Sequence, residues 1–361
     1  MRVLVVAGAS GGHIFPALGF LETLKDKHSN IDALLVLPKR SIKTGISTDD
    51  CRVKYISISG LALRFDFKNF VAILRFLKGS LESLILLLEF RPDIVVGFGS
   101  LDSLPLLLLA HIFRIKTLIH EQNVIPGRAN RLLAKFSDRV AVSFPETKDH
   151  LEVNSGKIVL TGNPIRKSLK RIDRDKALEF FGFSDDKLTV LVMGGSQGSH
   201  TINTGFLEAA SMMKDVSRLQ IIHLTGTIDH DALTKGYKNL SAEVKLFTFL
   251  KDMQYAYSIS DLVIARAGAT TIAELIFFRL AAVIVPYPYA YKHQLSNADF
   301  LERNGCALII KDSEFNGGKL RKIMEDFMDN PEKIMEMRSR YIGIQKHDAN
   351  NLLVEEALSL N

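Results

Sequence analysis

His13 stands where the first apolar run of the chain gives way to an amphipathic pattern. It follows Gly11 and Gly12 in the stretch AGASGGHIFPALGF, just after the buried-strand run Arg2 to Val6. A histidine at the carboxyl end of a first strand can act as a general base or a hydrogen-bond donor, because its charge changes near neutral pH. The glycines beside it either let a ligand approach the backbone or only make a tight turn. Gly194 to Ser199, GGSQGS, opens a second such turn with hydroxyls added. Helix N-termini carry partial positive charge and unbonded N–H groups, so this loop suits a phosphate, with a purely structural turn as the alternative. Arg266 to Ile276, RAGATTIAELI, repeats the device. Here Gly268 and Ala269 permit close approach, and Thr270 and Thr271 can cap the helix. Glu274, one turn in, is either an acceptor for a ribose diol or a first-turn acid favoured by the helix dipole. His120 to Asn130, HEQNVIPGRAN, ends the strand run IKTLI with a further polar cluster.

The elements that must position these residues alternate in type. RVLVVAG, IDALLVL, DIVVGFG, IKTLIHE and RVAVSF are strand candidates, spaced to leave room for helices between most of them. That is the pattern of a parallel sheet covered on both faces. The pattern restarts at LTVLVMGGSQGSHTINTGFLEAA, and continues through LQIIHLTG, VKLFTFL, DLVIARAG and AAVIVPYP. The expectation is an α/β chain of two doubly wound, Rossmann-like domains, residues 1–163 and 164–344, with a final helix at about 345–361 packing back on the first domain. Ligands of open α/β sheets bind beyond the carboxyl ends of the strands, where all the glycine loops fall, so a cleft between the domains is expected.

Length and composition fit this reading. The chain has 361 residues, 47% of them hydrophobic and 24% charged, which suits two soluble domains. Cys51 and Cys306 lie far apart, which excludes a disulfide framework and points to a reducing compartment. No signal-peptide pattern and no run of membrane-spanning length are expected. The net charge of +6 is uneven: residues 1–163 hold 21 Lys+Arg and 15 Asp+Glu (21 − 15 = +6), and residues 164–361 hold 25 of each. An anionic partner of the first half, or merely a solvated face, would account for it. A dinucleotide enzyme is disfavoured: no loop is a clean G-x-G-x-x-G, and LPKRS after the second strand supplies no acid for a ribose. Asp229-His230-Asp231 and Asp173-Arg174-Asp175 have the D-x-D form but not the strand-end placement of a metal site, and helix N-termini can neutralise a leaving diphosphate instead.

GASGGHIFPAL, HEQNVIPGRAN, GNPIR, GGSQGSHTIN, RAGATTIAEL and HQLSNADFL together resemble, in order and spacing, the MurG family of bacterial N-acetylglucosaminyltransferases. The resemblance covers nearly the whole chain. It implies a GT-B fold and transfer of GlcNAc from UDP-GlcNAc to the C4 hydroxyl of MurNAc in undecaprenyl-pyrophosphoryl-MurNAc-pentapeptide (lipid I), with inversion, giving lipid II. It implies no cofactor and no active-site metal, and no nucleic-acid partner. It also implies His13 as the base. Ser10, Gly11 and Gly12 match the first glycine loop, Asn123 a cleft asparagine, and Arg166 the arginine of G-N-P-x-R. Ser196 is then near the diphosphate and the Leu250 backbone at the uracil. Ala269, Thr270, Thr271, Ile272, Ala273 and Glu274 surround phosphates and ribose, with Glu274 on the ribose. Gln294 contacts the sugar.

Two departures stand out against the family pattern. GSLDSLP has Ser100 and Leu101 where the family has a glycine and a tyrosine, and His293 replaces a glutamine beside Gln294. The family works at the cytoplasmic face of the cell membrane, as a peripheral protein beside other cell wall synthesis proteins, which would explain the basic first half. Within FDFKNFVAILRFLKGSLESLILLLEF, Phe70, Leu74 and Leu77 share a helical face with Lys68, Arg75 and Lys78 interspersed. That segment is either a docking helix for an anionic membrane surface or an ordinary core helix. Two other functions fit a related fold: a glycosyltransferase for another lipid such as diacylglycerol, and a nucleotide-binding protein without turnover.

Overall fold

The computed structural model describes residues 1–44, 48, 51–57, 67–290, 292–344 and 348–361, with the side chains of 42–44 and 67–73 outside the described part. It comprises two compact units, Met1–Lys167 with His347–Asn361, and Ser168–Lys346.

The first unit runs β1 (Arg2–Ala7), α1 (Gly11–Lys27), β2 (Asp32–Pro38), β3 (Val53–Ile56), α2 (Phe67–Phe90), β4 (Ile94–Phe98), α3 (Leu104–Ile112), β5 (Lys116–Glu121), α4 (Arg128–Phe136), β6 (Arg139–Val142) and β7 (Ile158–Leu160). Its sheet has the order β3-β2-β1-β4-β5-β6-β7, with every pairing parallel. Strand β1 is buried on both faces, as a central parallel strand must be. Val3 and Val5 pack with Ile14 and Phe20 of α1, while Leu4 and Val6 pack with Leu86, Leu87 and Leu106 on the other side. Backbone bonding continues this unit past Asn163: the Ile165 amide donates to Asn350 Oδ1 at 2.9 Å, and that of Lys167 to Glu22 at 2.7 Å.

The second unit runs α5 (Arg174–Phe181), β8 (Leu188–Met193), α6 (His200–Met212), β9 (Leu219–Leu224), α7 (His230–Tyr237), β10 (Glu243–Phe247), α8 (Met253–Ile259), β11 (Leu262–Ala265), α9 (Ala269–Phe278), β12 (Ala281–Ile284), α10 (His293–Arg303), β13 (Ala307–Ile309), α11 (Gly317–Asp329) and α12 (Glu332–Arg340). Its parallel sheet is ordered β10-β9-β8-β11-β12-β13. The last helix, α13 (Ala349–Leu358), belongs to the first unit, where Leu353, Val354 and Ala357 join the core beside α1.

Both sheets reverse their strand order once, between β1 and β4 and between β8 and β11. Such switch points leave a crevice at the carboxyl ends of the strands. The loops carrying His13 and Gly99 leave the first crevice. Those carrying Ser196 and Gly268 leave the second.

Helix α2 is two-faced. Leu86, Leu87 and Phe90 are buried, whereas Leu74, Leu77, Leu81, Ile85 and Leu88 are each 46–58% exposed, in an i, i+3, i+4 stripe. Arg75 and Lys78 are exposed beside that stripe, and the Lys68 and Phe70 side chains lie outside the described residues. The stripe excludes a purely core-facing role for α2. Among the described residues no helix is long and apolar enough to cross a membrane.

Candidate functional site

In the first unit the turn after β1 delivers His13. Ser10 is the N-cap of α1, yet its hydroxyl caps no backbone N–H. It bonds His13 Nδ1 at 2.9 Å instead. The other ring edge faces Gly99, where an added Cβ would sit 3.3 Å from Nε2 and the backbone has φ +70°. A side chain at 99 would therefore be strained and would cover Nε2. The same Cβ would lie 3.3 Å from Gln122 Oε1, so the loops after β1, β4 and β5 converge on the imidazole. His13 keeps part of its surface exposed. Even so, burial lowers its pKa to about 4, against the Asp102 carboxylate, which raises it, and with Arg40, which lowers it further. At neutral pH His13 is thus uncharged and able to accept a proton.

Asp102 is a residue that sequence reasoning missed. It is buried at 1% exposure in the loop after β4. Its Oδ2 accepts from Arg40 and, at 2.8 Å, from Ser100 Oγ, and its Oδ1 has no hydrogen-bond partner among the described residues. A single acid inside the apolar run LDSLPLLLL was the available signal. Ser100 itself adopts φ 73°, ψ 149°, a region essentially reserved for glycine. The family-pattern glycine at this position thus has a backbone reason, and the serine that replaces it ties the loop to Asp102.

HEQNVIPGRAN is organised by a second missed acid, the buried Glu121. Its Oε1 accepts from the Asn123 amide (2.9 Å) and Asn123 Nδ2 (3.1 Å), and its Oε2 from Gly127 N (3.0 Å) and Asn130 Nδ2 (2.8 Å). Asn123 is therefore oriented by Glu121. His120 is fully buried: Nε2 donates to Gly162 O at 2.9 Å and Nδ1 accepts from Gln122 at 3.1 Å. Burial lowers its pKa to about 4, with the Gly162 bond opposing. Arg166 stacks its guanidinium 4.0 Å from the Phe15 ring centroid, two residues beyond His13.

In the second unit Ser196 is exposed in the turn closed by Gly198 N to Gly195 O at 3.0 Å. Ser199 N-caps α6 and also accepts from Arg266 at 2.7 Å. Arg266, a third residue not singled out beforehand, is buried and pairs with Asp312, so it ties the turn after β11 to that after β8. The α9 start corrects one expectation. Gly268 is the N-cap, and neither Thr270 nor Thr271 caps the helix. Thr270 Oγ1 is instead buried with no partner among the described residues. Glu274 lies beyond the first turn of α9, which removes the reading as a first-turn acid. It is buried with Ala269, Ile272 and Ala273, and its Oε2 accepts from Tyr257 Oη at 2.6 Å. Gln294 Oε1 accepts from the amides of Ala267 (3.1 Å) and Tyr287 (2.9 Å), which leaves its amide N–H groups to point elsewhere. Leu250 lies in the turn after β10, its side chain buried.

The leading acid of each D-x-D has structural work. Asp173 caps α5. Asp229 accepts from Asn203 at 2.8 Å and bonds His200 Nδ1 at 2.9 Å. Among the described residues no three His, Cys, Asp or Glu side chains gather as a metal-holding group.

Comparison with known proteins adds three findings. The family models for the N-terminal and C-terminal domains of glycosyltransferase family 28 match residues 3–142 and 189–353. The UDP-N-acetylglucosamine–N-acetylmuramyl-(pentapeptide) pyrophosphoryl-undecaprenol N-acetylglucosamine transferase of Thermodesulfovibrio yellowstonii is 37% identical over 100% of this chain and 99% of its own length. Its namesake in Bacillus subtilis is 33% identical over 97% of this chain and 96% of its own. The crystal structure of Acinetobacter baumannii MurG superposes with a TM-score of 0.78 at 26% identity, covering 99% of this chain and 100% of that one.

Proposed function

The chain belongs to the MurG family within glycosyltransferase family 28 and has the GT-B fold, and on that footing we propose how its residues carry out the transfer. It is an N-acetylglucosaminyltransferase that moves GlcNAc from UDP-GlcNAc to the C4 hydroxyl of MurNAc in lipid I, forming lipid II. The observation that supports the residue assignment is that GASGGH follows β1, and GGSQGS and RAGATT follow β8 and β11, the strands at the two switch points.

In this reading the second unit holds the donor. Glu274, fixed by Tyr257, accepts from the ribose hydroxyls. The N-termini of α6 and α9, with Ser196 and Thr270, face the diphosphate and stabilise the charge that grows on it. Gln294 uses its amide on the sugar, and Leu250 its main chain on uracil. The first unit holds the acceptor, with Gly11, Gly12 and Asn123 shaping that side and Arg166 braced on Phe15. His13 Nε2 takes the proton from the C4 hydroxyl while that oxygen attacks the anomeric carbon. The bond from that carbon to the diphosphate oxygen breaks, UDP leaves with the electron pair, and the anomeric configuration inverts. For Nε2 to accept, Nδ1 must carry the ring proton and donate to Ser10 Oγ, which the 2.9 Å separation allows.

The apolar stripe of α2, with Arg75 and Lys78 beside it, docks on the anionic cytoplasmic face of the cell membrane, where lipid I resides. Neutralising Arg75 and Lys78 together should weaken binding to anionic vesicles, most strongly at low salt.

Incubation with labelled UDP-GlcNAc and a lipid I analogue tests the activity, with a diacylglycerol acceptor run beside it. Label in the lipid I analogue alone supports the proposal. Label in diacylglycerol alone refutes it, and so does donor binding without transfer to either acceptor.

A further inference from the structure

The amino edge of the second sheet, opposite the glycine loops, carries a cavity of about 520 Å³ below the first residues of β8 and β11. Three arginines from separate elements line it: Arg171 ahead of α5, Arg279 at the end of α9 and Arg338 in the last turn of α12. The one carboxylate among its lining residues is already divided. Asp261 Oδ2 accepts from Thr189 N at 2.9 Å, and Oδ1 lies 3.6 Å from Arg174 and 3.8 Å from Arg338. Arg279 Nε is buried without a hydrogen-bond partner among the described residues. Burial first, and then the charges of Arg279 and Arg338, push the Arg171 guanidinium below its ordinary value. Three guanidinium charges thus face a single carboxylate, with Arg171 also donating to the Phe277 carbonyl at 2.6 Å.

A simpler account is that arginines at helix C-termini complement the helix dipoles. It suits Arg279 and Arg338 taken singly. It does not explain why they converge with Arg171, which precedes its helix, on one concave space. Nor does it explain a buried guanidinium N–H with no acceptor, a costly arrangement. Planar guanidinium forks match phosphate oxygens in pairs. Apart from Ser339, the rest of the wall is apolar, and Met335 and Ile342 are each 64% exposed beside the arginines.

We propose that this cavity is a binding site for a phosphate group attached to an apolar body, separate from the donor loops at the other edge of the same sheet. The phosphate would be held by Arg171, Arg279 and Arg338, and the apolar part by Met335 and Ile342. Its source is a soluble phosphate ester or the headgroup of an anionic lipid.

The test is calorimetry on the full chain with UDP at saturation, so that the donor loops are occupied. Inorganic phosphate and short-chain dihexanoyl phosphatidic acid are the two probes. Both binding, or the phosphatidic acid more tightly, supports the site with a lipid source available to it. Inorganic phosphate binding alone supports the site with a soluble ester as its source. Arg338→Gln and Arg279→Gln should each weaken binding by about tenfold or more, the loss expected for one charge-assisted bond. UDP affinity should not change. Arg338→Lys keeps the charge and should retain part of the binding, which separates loss of the site from loss of the fold. The proposal is overturned if neither probe binds, or if both glutamine variants bind as the wild type does.

Discussion

The Ser100 hydroxyl donates to Asp102 Oδ2 at 2.8 Å while accepting from the Asp102 backbone N–H at 3.3 Å. It does so from a backbone conformation, φ 73° and ψ 149°, that costs a non-glycine residue on the order of 1–3 kcal/mol. The two hydrogen bonds offset that cost by roughly 1 kcal/mol each. Ser100→Ala keeps the strain and loses the bonds, so it should lower stability by about 1–2 kcal/mol. Ser100→Gly loses the bonds but relieves the strain, and should stay within about 1 kcal/mol of wild type. Urea denaturation of both variants checks this. An alanine variant more stable than the glycine variant would contradict it.

Glu274 and Tyr257 make a second testable pair. Glu274→Gln should weaken UDP-GlcNAc binding by about ten- to a hundredfold, as expected for a charge-assisted bond to a ribose hydroxyl. Tyr257→Phe frees the carboxylate from its 2.6 Å tether, so it should raise the donor KM by a smaller factor with little change in kcat. Titration calorimetry with UDP-GlcNAc separates the two. Unchanged donor affinity in Glu274→Gln would remove the ribose assignment.

Three histidines, His120 and His223 fully buried and His13 partly so, set a pH dependence of stability. Burial lowers His13 and His120 to about 4 and His223 to about 3. In the unfolded chain each titrates near 6.5. Between those values the unfolded chain binds protons that the folded chain refuses, so stability rises with pH there. It should be complete above about pH 6.5 and fall steadily as pH drops toward 4. Replacing His120 with Gln should flatten part of that slope. Urea midpoints at several pH values measure it, and a flat profile from 6.5 to 4.5 would contradict the burial of these rings.

Much of this architecture was legible in the residues. The buried central strands are unbroken apolar runs, so β1, β4, β8 and β11 stood out, and with them the glycine turns that follow. Strands β3, β7 and β13 did not. Each is three or four residues long, lies at a sheet edge and is only partly buried, so it needs no apolar run. The α9 cap was misjudged because the two threonines after Gly268 are good capping residues by type, while the backbone starts the helix at Ala269 itself. Asp102 and Arg266 act on Arg40, Ser199 and Asp312, far away in sequence, so their roles depend on which loops the sheet order brings together, and no local pattern encodes that. Glu121 acts within its own loop, on Asn123, Gly127 and Asn130, but only the fold of that loop turns these groups onto one carboxylate.

The most direct test of the central claim compares His13→Ala with wild type in two measurements, UDP-GlcNAc affinity and kcat for transfer to a lipid I analogue. With His13 as the base, affinity should stay near wild type while kcat falls by roughly 10²–10⁴-fold. A variant that binds the donor normally and transfers at close to the wild-type rate would contradict the assignment.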